Sequence, residues 1–192
     1  MSFWREVRIY VGRAREFDAR DWLVYAAWVG LITALASTAT LVLAAGRGLH
    51  APMPAEAWLV PIGAWLFAAS IAVDTVGHRT VYKEAIAGGE SLVHGITIAS
   101  GVGSCVLLCV AYSHPRVAWI PALVLTALSM LYSLVDEGFH WRRYVRAHAD
   151  RVEMWSHVGI LAGHAAMMVG WWAWFLQDYA GVREVLAAIA RS

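Results

Sequence analysis

The chain has 192 residues, of which 60 % are hydrophobic and 15 % charged, with 11 tryptophans and a formal net charge of +1. That balance belongs to integral membrane proteins and excludes an ordinary soluble domain or a basic nucleic-acid-binding surface. Lys83 is the only lysine and lies between apolar runs, so no lysine is available for a Schiff base in mid-membrane, and a retinal photoreceptor is not expected.

Residues 2–21 interleave Phe3, Trp4, Val7, Tyr10, Val11 and Ala14 with Arg5, Arg8, Arg13 and Arg15. This pattern predicts an amphipathic helix lying in the membrane interface, and it lacks the apolar centre of a cleavable signal. A first span follows over 23–45, free of ionisable groups and long enough for an apolar layer of about 30 Å, with the look of a buttress. The loop after it contains His50, which is expected to be exposed.

The second span covers about 58–78, with Pro61 in its first turn, where a missing backbone donor does no harm. The third covers 90–112, and its GVGSC stretch reads as small residues for close helix packing. The fourth covers 117–140, preceded by a short loop with an exposed His114. The fifth covers 154–176 and closes with Trp171, Trp172, Trp174 and Phe175, the expected aromatic belt of the far interface. Residues 177–192 form a short amphipathic tail. Cys105 and Cys109, four apart on one helix face, belong to no metal or redox motif and are expected to pack as small residues.

The fold class is therefore all-α: an integral membrane protein with five transmembrane helices in one bundle, forming one membrane-embedded domain over residues 1–192. If the N-terminus is cytoplasmic, that side holds Arg5, Arg8, Arg13, Arg15, Arg20, Arg79, Lys83, Arg142, Arg143, Arg146 and Arg151. The other side holds only Arg47, Arg116, Arg183 and Arg191. The bias predicts an N-terminus inside and a C-terminus outside, with the arginines of 142–151 also attracting anionic lipid.

Under this topology an acid and a histidine occur together at the cytoplasmic end of four spans: Asp74 and His78, Glu90 and His94, Glu137 and His140, Glu153 and His157. Separations of three or four residues put both side chains on one helix face, so each helix can offer a carboxylate and an imidazole to a common centre. Two polar stripes continue inward, one through Glu90, His94, Thr97, Gly101 and Ser104, the other through His140, Glu137, Ser133 and Ser129. His164 lies two turns, about 10 Å, deeper than His157.

Helix dipoles account for Glu90 and Glu153 at N-termini and for His78 and His140 at C-termini. They do not account for Asp74 and Glu137, expected near C-termini, or for His164 inside the membrane. A positive ion would offset those costs. Nitrogen and carboxylate ligands without thiolate suit iron, zinc or manganese, and Glu137-x-x-His140 is one copy of the pair that carboxylate-bridged di-iron bundles use twice. A catalytic zinc needs only three protein ligands, so this donor set predicts a dinuclear centre, with iron as the expected metal. Its candidate ligands are Asp74, His78, Glu90, His94, Glu137, His140, Glu153, His157 and His164. Asp136 is expected to orient His140 or a neighbour, and His148 to face solvent or headgroups.

Membrane fatty-acid desaturases and hydroxylases also hold two metals on the cytoplasmic side of a helical bundle, but their H-x-x-x-H and H-x-x-H-H boxes are absent, so the similarity is one of architecture. The H-E-x-x-H motif of metallohydrolases is missing too. The leading expectation is a metal-dependent oxidoreductase acting on an apolar substrate, a lipid, isoprenoid or quinone, with an electron-donor protein as partner. The alternatives are a haem b electron carrier with two histidine ligands such as His94 and His164, a zinc-dependent membrane hydrolase with Glu137 as base, and a metal or proton transporter.

Overall fold

The computed structural model describes residues 2–81, 88–147 and 151–191. Among these the chain is helical without strands, in seven α-helices: α1 Phe3–Gly12, α2 Ala19–Gly48, α3 Leu59–Thr80, α4 Gly88–Ala111, α5 Pro115–Ala147, α6 Arg151–Phe175 and α7 Val182–Ile189. Helices α2 to α6 are the five that are long and apolar enough to cross a membrane. Lys83 and His148 lie outside the described residues.

The first helix does more than float on a surface. Its Tyr10 is buried with Val76 and Val152, and the phenol lies directly on Gly77, where any side chain would collide. Glu6 accepts two hydrogen bonds from Arg151, at 2.7 and 3.1 Å, and the guanidinium holds its carboxyl below the usual range. So α1 ties the end of α3 to the start of α6, while Trp4 stays exposed.

Helix α2 begins with a capping box in which Asp18 accepts from the Asp21 backbone N–H and Asp21 from that of Asp18. Asp21 is fully buried and forms an ion pair with Arg79 of α3. The buttress is thereby keyed to the helix it supports. The sequence gives no sign of this pair, because Asp21 lies ahead of the apolar run and Arg79 reads as a topology signal.

The bundle consists of two intimate helix pairs, α3 with α6 and α4 with α5, which meet each other chiefly through α5 and α6; α2 packs on α3. Glycines make the first pair close. A methyl group at Gly163 would fall 2.6 Å from Phe67 N and 2.8 Å from Gly63 O, and one at Gly170 would fall 2.9 Å from Glu56 O, so the two backbones touch.

Two sequence expectations need correction. Trp171 and Trp174 are each only 6 % exposed and belong to the core, with Trp174 Nε1 donating to the Ala180 carbonyl; they form no lipid-facing belt, because the chain turns back and α7 packs on α2. The fourth span also does not stop at His140, since α5 runs on to Ala147.

Candidate metal centre

Four helices bring together eight of the nine expected ligands, and Asp136 joins them. From α3 come Asp74 and His78, from α4 Glu90 and His94, from α5 Asp136, Glu137 and His140, and from α6 Glu153 and His157. The extension of α5 changes the reason for the charges being there. Glu137 lies ten residues before the helix end and Asp74 six, beyond the last turn where a helix dipole acts. Their cost is one of burial: all five carboxylates are at most 8 % exposed, and His140 and His157 only 2 and 1 %.

The acid and histidine neighbours in sequence mostly exchange partners in space. His140 Nδ1 is 3.1 Å from Glu153 Oε1, while His157 Nδ1 is 3.4 Å from Glu137 Oε1, a reciprocal swap between α5 and α6. On the opposite ring edges, His157 Nε2 faces Asp74 Oδ1 at 2.9 Å, and His140 Nε2 faces Glu90 Oε1 at 3.8 Å and Asp136 Oδ2 at 3.9 Å. His94 Nδ1 meets Asp136 Oδ2 at 3.1 Å. Of the four sequence pairs, Asp74 and His78 stay together within their own helix, at 3.4 Å.

Between the two halves the rings of His140 and His157 stack at 3.4 Å, and those of His78 stand 6.2 Å from each. One nitrogen from each of these three residues falls within 4.8 Å of the others, the span a metal ion bridges. Asp74 Oδ1, Asp136 Oδ1, His140 Nε2 and His157 Nε2 are all buried, yet make no hydrogen bond of acceptable geometry among the described residues. Buried polar atoms without such partners cost roughly 1–3 kcal/mol each, and a cation is the simplest group to satisfy acceptors from so many sides.

Charge arithmetic points the same way. If His140 and His157 were both protonated, two cations 3.4 Å apart would repel by about 5 kcal/mol at an effective dielectric constant near 20. The five carboxylates are thus poorly neutralised by histidine alone.

His164 stands apart from this cluster. Its Nε2 is 3.4 Å from Ser129 Oγ, and its ring stacks on Phe67 with centroids 5.7 Å apart. It lines a cavity of about 430 Å³ that extends from the cluster up between α2, α3, α4 and α6. Apart from the cluster, the walls are largely aliphatic and aromatic, with Cys105 and Cys109 among them. His50 and His114 are exposed, as expected.

No protein family, characterised protein or solved structure matches the chain.

Proposed function

We propose that the protein is a membrane-embedded, metal-dependent oxidoreductase whose dinuclear centre acts on an apolar substrate, a lipid, isoprenoid or quinone. The observation that carries this reading is the meeting of five buried carboxylates and four imidazoles from four helices, with buried atoms such as Asp136 Oδ1 and His140 Nε2 that make no hydrogen bond among the described residues. By contact the donors gather around two imidazoles, Asp74 and Glu137 at His157, and Glu90, Asp136 and Glu153 at His140, with His78 on Asp74 and His94 on Asp136. Two ions suit such a set better than one, and iron suits nitrogen and oxygen donors without thiolate.

When bound, the metals supply the redox chemistry, dioxygen activation or electron transfer. The protein's own part is to fix the donors on rigid helices and to keep bulk water out. Glu137 lines the cavity and lies 3.4 Å from His157 Nδ1, so it can exchange a proton between that imidazole and a bound substrate. The bias of arginines toward the α1 side supports a cytoplasmic cluster, within reach of a soluble electron donor.

A haem held by His94 and His164 is favoured by one observation, that both line the same cavity. It leaves Asp74, Glu90, Glu137 and Glu153 without a task, and His94 already faces Asp136. Transport is disfavoured by the mostly apolar far end of the cavity, and a zinc hydrolase would use the same donors with zinc in place of iron.

Metal content of purified variants tests the site. Glu137→Ala and His157→Ala should each lose metal while His50→Ala keeps the full complement. Unchanged metal in the first two would remove those residues from the centre.

A further inference from the structure

His164 and Thr97 are polar groups in an apolar cavity, and the cluster does not use them. The Ser129 hydroxyl donates to the Thr126 carbonyl at 2.9 Å, so toward His164 it acts as acceptor. In a neutral imidazole that puts the proton on Nε2 and leaves Nδ1 an acceptor, with no protein partner among the described residues. Thr97 Oγ1 is buried and makes no hydrogen bond among the described residues. His164 is only 4 % exposed and lines the cavity.

The cavity has the shape of a groove with marked stations. His157, His164 and Trp171 all line it, at seven-residue intervals on α6, so they mark its cluster end, its middle and its far end. At 1.5 Å per residue the two intervals measure about 21 Å, the reach of an extended chain of roughly sixteen carbons, with His164 at its midpoint. One wall is a stripe of α2, Val24, Trp28, Leu31 and Leu35; the facing wall belongs to α4. The backbones of these two helices do not approach each other closely among the described residues, and Leu31 and Val102, one on each, are 52 and 40 % exposed, which leaves a lateral opening toward lipid.

We propose that this groove binds a single-chain lipid carrying a hydroxyl near the middle of its chain, that the lipid enters sideways between α2 and α4, and that His164 is the specificity residue accepting a hydrogen bond from the hydroxyl. This specifies the substrate class of the oxidoreductase reading and rests on it only for the chemistry; the binding site stands on its own walls. The hydroxyl anchors the chain so that one half reaches back to the cluster.

The test uses the purified full-length protein in phosphatidylcholine nanodiscs, with and without chelator treatment, and a sixteen-carbon 8-alcohol carrying a diazirine at its chain end. Labelling should fall on residues lining α2 and α4 and be displaced by hexadecan-8-ol roughly tenfold better than by hexadecane, the worth of one buried neutral hydrogen bond. His164→Leu should abolish that preference and His164→Gln, which keeps an acceptor, should restore most of it. Val102→Trp should block labelling without touching His164.

Labelling confined to outward residues such as Leu134 and Val169, or equal displacement by alcohol and alkane, would overturn the proposal. Labelling that persists after chelation supports the groove whatever the metal analysis finds. A protein that holds two metals but never labels in the groove would leave the centre intact and sink this inference.

Discussion

His140 of α5 and His157 of α6 stack with ring centroids 3.4 Å apart and planes 27° from parallel, while each points Nδ1 at the carboxylate that precedes the other in sequence. The reciprocal contact welds the two helix pairs where they meet. It also makes the site interdependent, since removing His157 strands acids on α3 and α5, and removing His140 strands acids on α4, α5 and α6.

His157→Ala should consequently destabilise the protein strongly, by about 3–5 kcal/mol, because Asp74 and Glu137 lose their shared partner while buried. Adding Asp74→Asn and Glu137→Gln to the same chain should recover part of the loss. Thermal unfolding in detergent measures both, and a His157→Ala protein as stable as the parent would mean that the acids are neutralised by something else.

The crossing of α3 and α6 sets where Asp74 and His157 stand. Gly163→Ala should force the backbones apart, lowering the melting temperature and reducing metal affinity together. Gly30→Ala, at a helical position with nothing within 4 Å, should instead be neutral or raise stability by roughly 0.5–1 kcal/mol. Equal behaviour of the two variants would contradict the close packing described.

Arg79→Ala should cost about 3–5 kcal/mol by leaving the fully buried Asp21 without its guanidinium. The double variant Asp21→Asn with Arg79→Ala should be closer to the parent than Arg79→Ala alone. A cycle of the two substitutions on unfolding stability checks this, and additivity would show that the pair does not couple.

Five apolar runs were legible in the sequence because a span of this length needs about twenty residues, and composition alone reveals it. The pairing of acids with histidines was legible as spacing on one face. Which acid meets which histidine was not, since the exchange between α5 and α6 depends on how two helices pack. Glu137 stands away from the helix end for a local reason: nothing in HWRRYVRA stops a helix, so α5 continues past His140. Trp171 and Trp174 misled because a cluster of tryptophans at a span end looks the same whether it faces lipid or the turn that folds back over it. Asp21 and Arg79 escaped notice because two opposite charges 58 residues apart show no pattern along the chain.

The metal content and visible spectrum of the purified protein, measured together, test the central claim most directly. The account predicts about two irons per chain and no haem absorption. A haem Soret band, or a fully folded protein that binds no metal when supplied with iron, zinc or manganese, would contradict it.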